Sequence, residues 1–324
     1  MRTETQRPDP AVGYTWGESD GSYFVRNPDG DFRQVSENAM KLLEALADGE
    51  MTTDDLDGGA LRLAERLEDE GYFGPNRPVE RIVTPSDIAL WPRSVLFFIL
   101  FGVVAYTVLP AVSSLGTLST RLSPSRVVTV GGLLLTGVAV HESGHHLAAR
   151  EYLDPSFRIQ RVNGVIPTVT TNTSGAWILP KNRRRWISLA GPFAELLWVL
   201  GVVVYDAFLP ASTALELYLV AALTGFAFTL NPLIHGDGYW LLVDTFGVVN
   251  LRKRGLHDLE KPKLSLAATY VAVSYLFGIG TFVASVVGAV YAFGPKGLVP
   301  ISILLGVTLL DGDRVRTLFE AVAS

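Results

Sequence analysis

The chain has no cysteine among its 324 residues. That absence excludes disulfide bridges, thiolate metal sites and cysteine nucleophiles. Histidine is scarce as well, with five in all, at 141, 145, 146, 235 and 257. Any bound metal must therefore draw its ligands from these, from Asp or Glu, or from water. No cleavable signal peptide is visible. The N-terminal end is polar, and the first apolar run starts near Ser94 and would itself direct insertion. Positive charge is sparse early in the chain: residues 1–80 hold 18 Asp/Glu against 8 Lys/Arg, and the remainder 14 against 19. An acidic surface repels phosphate, so nucleic acid is not an expected partner.

Apolar residues, in contrast, are plentiful, at 48% of the chain. They fall into runs long enough to cross a bilayer, which takes about 20 residues. Six such spans are expected, near 94–113, 127–149, 187–208, 213–234, 265–292 and 297–311. The predicted fold is thus a multi-pass α-helical membrane protein, preceded by a small soluble domain. If that domain is cytoplasmic, loops 150–186 and 235–264 share its side. These carry Arg150, Arg158, Arg161, Lys181 and Arg183–Arg185, then Arg252–Arg254, Lys261 and Lys263. The other side keeps Arg121, Arg126 and Lys296. The bias predicts a cell-membrane protein with both termini in the cytoplasm.

Residues 1–80 read as a small acidic α+β domain, 81–93 as a linker, and 94–324 as the membrane domain. Within the first part, Ser22–Val25 and Phe32–Val35 are strand-like runs around the turn sequence Asn27-Pro28-Asp29-Gly30. Ser36 is placed to cap a helix carrying Ala39, Leu42, Leu43 and Leu46, which Gly49 ends. Thr52 or Thr53 caps a short turn, and Leu61–Leu67 is a second helix. Tyr72 and Phe73 are expected to pack back on these helices. A hairpin with short helices is winged-helix-like, and the pattern resembles PqqD-like peptide-binding domains.

The second span ends in an ionisable cluster: His141, Glu142, His145 and His146. Charges are costly in hydrocarbon, so such a cluster marks a functional site. His141-Glu142-Ser143-Gly144-His145 fits HExxH, in which two histidines one turn apart face a single metal ion. Glu142 lies about a third of a turn from His141, beside the metal, where a general base for water belongs. Gly144 thins the helix and lets a neighbouring helix or a substrate backbone approach. A third ligand must come from elsewhere. Asp237, at the expected cytoplasmic end of the fourth span, lies at a depth similar to His141 and is the choice, with His235 as competitor. His146 is expected to be a bystander, and Glu195 and Glu216 receive no role. Residues 240–260 read as an interfacial amphipathic stretch with His257 exposed.

HExxH, then Ala190-Gly191-Pro192, then Asn231-Pro232 with Asp237-Gly238, resembles the site-2 protease family of intramembrane zinc metalloproteases over residues 127–255. Tyr239–Leu242 and Asn250-Leu251-Arg252 are similar to a peptide zinc metalloprotease subgroup that often has a PqqD-like N-terminal region. The resemblance implies one Zn2+ per chain, held by His141, His145 and Asp237. It makes Glu142 the residue that activates water, and puts Asn231 near the substrate carbonyl as an oxyanion donor. The other role for Asn231 is to satisfy backbone groups left by Pro232. Tyr239 departs from the family, which often has a second glycine there. Val162–Pro180 matches the position of a membrane-dipping β-hairpin that offers its edge to substrate. Arg183–Arg185 are expected to anchor at headgroups. The implied activity is endopeptidase cleavage of membrane proteins or peptides at the bilayer. The alternative is a non-catalytic peptide-binding or export component of the membrane.

Overall fold

The computed structural model describes residues 14–19, 21–27, 32–47, 49–72, 79–81, 85–114, 123–153, 155–162, 166–208, 212–234, 236–247, 251–261 and 264–293. Most are helical, with a small N-terminal sheet. They divide into two compact units. One holds the residues up to Ser156 together with Thr171–Leu230; the other holds Phe157–Thr170 and the residues from Asn231 on.

The first unit begins with β1 (Tyr14–Ser19), β2 (Ser22–Arg26) and β3 (Phe32–Val35). These are followed by α1 (Glu37–Ala47), α2 (Gly58–Asp69) and β4 (Val79–Arg81). The sheet order is β3-β2-β1-β4, with β4 parallel to β1 and the other pairs antiparallel. The expected strands at 22–25 and 32–35 are β2 and β3, paired from Tyr23↔Val35 to Arg26↔Phe32. Strands β1 and β4 were not anticipated, and β4 straddles the expected domain boundary at 80. Ser36 caps α1 as expected, its Oγ accepting the Ala39 N–H at 3.2 Å. Gly49 follows that helix at φ +72°, a conformation that favours glycine. Helix α2 begins earlier than the expected Leu61.

Neighbouring residues of a strand point to opposite faces, and β2 is covered on both. Val25 packs with Met40, Leu43, Leu67 and Tyr72 beneath α1 and α2. Phe24, on the other face, packs with Ala149, Leu153, Ile178, Leu179 and Ile187. Its ring stacks on Trp177 at 6.5 Å. The sheet thus rests on the helical part of its own unit. Phe73 lies outside the described residues.

Among the described residues, three helices are long and apolar enough to cross a membrane: α3 (Trp91–Ser114, apolar through Pro110), α4 (Pro124–Ala149) and α5 (Lys181–Ala207). Ser123 caps α4, accepting from Arg126 N, with Pro124 at the first helical position. Helix α6 (Thr213–Thr229) is apolar but has only 17 residues. The expected span at 213–234 is therefore too long at its C-terminal end. Pro232 cannot donate within a helix and turns the residue before it away from helical backbone. Large apolar side chains such as Phe98, Ile99, Tyr106, Val128, Leu135 and Phe208 lie exposed on these helices. A surface of that kind suits lipid, where water would drive association. Inside, Phe97 meets Phe193 at 6.3 Å and Phe101 meets Phe226 at 6.0 Å, tying α3 to α5 and α6.

The second unit includes the greater part of β5 (Ser156–Val162) and β6 (Ile166–Asn172), which pair as a two-stranded sheet. The strand pair begins at 156, ahead of the expected 162. Beyond Asn231 come α7 (Asp237–Phe246), α8 (Leu251–Glu260) and α9 (Leu266–Phe293). Gly255 lets α8 lie against α9, since a Cβ there would stand 2.2 Å from Ala267 O. Helices α7 and α8 occupy the stretch expected to be amphipathic, and α9 is a helix over the residues of the fifth expected span, counted as apolar over Leu266–Thr281. The sixth, 297–311, lies outside the described residues.

Candidate metal centre

Helix α4 carries the histidine pair on one face, as their i, i+4 spacing requires. The two Nε2 atoms approach to 3.1 Å. His145 Nδ1 lies 2.7 Å from Ile187 O. A carbonyl can only accept, so His145 Nδ1 carries the proton and its Nε2 presents a lone pair. His141 Nδ1 lies 2.9 Å from Glu195 Oε2. An ionised carboxylate likewise only accepts, so His141 has the same tautomer. Both Nε2 lone pairs then point at each other, which is unfavourable unless a cation lies between them.

This arrangement tests whether a metal fits. Two imidazole nitrogens at about 2.0–2.1 Å from a tetrahedral zinc ion stand roughly 3.3 Å apart, close to the spacing observed. Metal-binding histidines also donate their other ring N–H to a carboxylate or backbone carbonyl. His141 and His145 do one of each. The donor set is imidazole without thiolate, which suits zinc and other borderline divalent ions.

Helix α5 builds the opposite wall, and two glycines allow it. A Cβ on Gly144 would meet Ala190 O at 2.3 Å and Ala194 Cβ at 2.8 Å. A Cβ on Gly191 would meet His145 Nε2 at 2.2 Å. The close neighbour anticipated for Gly144 is therefore a helix. The Ala190-Gly191-Pro192 stretch is the surface on which the His145 ring lies, and all three residues are buried.

Glu142 is held by the end of β6. Its Oε2 accepts the Thr171 N–H at 2.6 Å, and its own carbonyl accepts the Thr171 hydroxyl at 2.9 Å. The candidate base thus has a fixed position against a strand. Asp237 is the first residue of α7 and follows a break after α6, so it does not end the fourth span as expected. Asn231 Oδ1 accepts the Leu233 N–H at 2.9 Å. That is the local backbone role weighed for it beside the oxyanion role. His235 lies outside the described residues. His146 is partly buried on α4.

Two readings change. Glu195, left without a role, is the partner of His141. An acid inside an expected apolar span was the available signal. The arginines at 183–185, expected at headgroups, are bound within the protein. Arg184 is buried, donates to Leu179 O at 2.7 Å, and lies over the Trp177 ring. Arg183 donates to Ser86 O at 2.7 Å and to the Tyr152 hydroxyl, and its guanidinium covers the Tyr152 ring at 4.3 Å. Arg185 donates to Asn182 Oδ1 at 3.1 Å. Backbone carbonyls and nearby aromatic rings suit the planar guanidinium group, which donates in a fixed fork and stacks on ring faces. Burial, then the hydrogen bond to Glu151, raises the Tyr152 hydroxyl above its ordinary pKa of 10.0, so it stays neutral beneath Arg183.

No protein-family model, curated protein or solved structure matches this chain.

Proposed function

We propose that this chain is a zinc-dependent endopeptidase acting in or at the surface of the membrane, of the site-2 protease kind its motifs resemble. The observation that carries the reading is the pair of converging Nε2 atoms, each with its Nδ1 on an acceptor. The ligands are His141, His145 and Asp237, one ion per chain. When bound, the metal would polarise the scissile carbonyl and lower the pKa of water.

Glu142 takes the proton from the attacking water as the new C–O bond forms. It then gives that proton to the amine as the C–N bond breaks. Its contact with Thr171 links the base to β6. An extended peptide paired with the chain at Thr171 would present its carbonyls next to that base, and the pairing would offset hydrogen bonds lost when a membrane helix unwinds. Asn231 offers amide N–H donors for the developing oxyanion. The proposed setting is the cell membrane, crossed six times, with both termini cytoplasmic and membrane proteins or peptides as substrates.

The test compares wild type with Glu142→Gln for zinc content and for cleavage of candidate membrane peptides. Zinc stays near one per chain in both, while the variant loses cleavage by at least about 100-fold, the scale of general-base contributions. Undiminished cleavage by the variant overturns the mechanism. Peptide binding by wild type without any cleavage favours the non-catalytic alternative. Asp237→Ala is expected to empty most of the zinc, read by metal analysis; full occupancy redirects the third-ligand assignment to His235.

A further inference from the structure

We infer that Glu195 is a positioning residue for the metal centre: it holds His141 in the one tautomer and ring orientation that turns the Nε2 lone pair toward a metal. The inference rests on the metal-centre reading above. It starts from an anomaly in α5. Glu195 is a carboxylate on a helix long and apolar enough to cross a membrane, adjacent to the fully buried Leu196. Such a group is expensive there and survives only with a partner.

Its partner is His141, 54 residues earlier on α4. Glu195 Oε2 lies 2.9 Å from His141 Nδ1, and both side chains are largely shielded, at 13% and 19% exposed for His141 and Glu195 respectively. The second oxygen is placed as well. Glu195 Oε1 and Tyr218 Oη each lie 3.7 Å from the point where a Cβ on Gly137 would be, with Trp198 Cδ1 at 3.8 Å. The carboxylate thus lies where α4, α5 and α6 come together, near the fully buried Tyr218.

The chemistry gives this contact a specific job. An imidazole proton moves between Nδ1 and Nε2 at little cost when neither is engaged. If it sits on Nε2, that nitrogen can no longer bind a cation. His145 is protected from this by the Ile187 carbonyl, supplied by backbone. At His141 Nδ1 the carboxylate of Glu195 takes that role. Outer partners of this kind fix ring orientation as well as tautomer, and their loss weakens metal binding.

The experiment uses the full-length protein in detergent, with Co2+ as the probe. Cobalt affinity is measured by competition with a chelator, and ligand geometry by the visible d–d absorption. Wild type, Glu195→Gln, Glu195→Leu and His141→Ala are compared, with thermal melting as the folding control. The amide of Gln accepts more weakly, and its affinity is expected to fall about tenfold. Leu accepts nothing, and a loss of about 100-fold is expected, the upper end for removal of such a partner. Both shift the d–d bands, while their melting temperatures without metal stay near wild type. A folded Glu195 variant with wild-type cobalt affinity and spectrum overturns the inference. If Glu195→Leu does not fold, Glu195→Gln carries the test by the same criterion. Wild type and His141→Ala binding cobalt equally would overturn the metal-centre reading itself, and the inference with it.

Discussion

Single atoms decide the geometry of this centre. Gly191 has no side chain, and His145 uses that space: an added Cβ would lie 2.2 Å from Nε2. That atom is also the one required for a metal. Gly191→Ala therefore strikes the ligand directly. Overpacking of this kind costs about 1–3 kcal/mol of stability. The expected outcome is a modest fall in melting temperature and at least a tenfold loss of zinc affinity, measured by chelator competition. A variant that binds zinc normally would show that the ring has another resting place. Glu195 illustrates the opposite case, a residue whose presence matters. Its location was readable as an acid in an apolar run, but its role was not. A pairing across 54 residues depends on how α4 and α5 pack, and no local periodicity encodes it.

The elements follow from short-range rules, and their failures have short-range causes. Helix α1 starts where Ser36 caps it, and α4 where Ser123 and Pro124 do. Helix α6 stops at Thr229 because Pro232 lies ahead, which hydropathy alone does not register. Strand β1 was missed although residues 20 and 21, Asp-Gly, are a strong hairpin signal. Gly21 sits at φ +72°, and Ser19 pairs with Ser22 across that turn. Strand β4 has three residues and joins β1 over a long stretch of chain, so nothing nearby announces it.

One small element is pH-sensitive. The turn at Thr53–Asp55 is held by Asp55 Oδ2, which accepts both the Thr52 hydroxyl at 2.7 Å and the Thr52 N–H at 2.8 Å. These two bonds hold the Asp55 carboxyl below its ordinary value of 3.8, the hydroxyl being the larger cause. A depressed pKa in the folded state means that the unfolded chain protonates first as pH falls. The turn's stabilisation is therefore complete above about pH 4 and is lost as pH drops through the lower folded value. Hydrogen exchange of the following α2 amides should rise across that acid range in wild type. Asp55→Asn should show the same amides without this pH step; a retained step would move its origin to another acid.

At the scale of the molecule, the N-terminal sheet belongs to the same compact unit as α3–α6. Phe24 is the peg. It enters a cluster with Ile178, Leu179 and Ile187, and Ile187 is the residue whose carbonyl orients His145. The N-terminal sheet is thus built onto the support of the candidate metal centre. Phe24→Ala is expected to cost about 3 kcal/mol or more, as for a buried aromatic. Hydrogen exchange in the Ser174–Ile178 turn and at the start of α5 should quicken. Val25, on the other face of β2, should hold α1 and α2 in place, leaving their protection nearly intact. Equal loss across both faces would show that the domain and its seat unfold as one.

The sequence by itself determined the histidine pair, the glutamate beside it, the apolar runs and the Ser36 cap of α1. All of these are written in spacings of one to four residues, or in composition over a single helix. The tertiary structure decided what lies on the far side of each. Glu195 and Ile187 O meet the two Nδ1 atoms, Thr171 meets Glu142, and Phe24 meets Trp177. The two histidine contacts exist where Gly144 and Gly191 allow α4 and α5 to touch. Close packing is a property of two surfaces together, and neither surface alone specifies its partner.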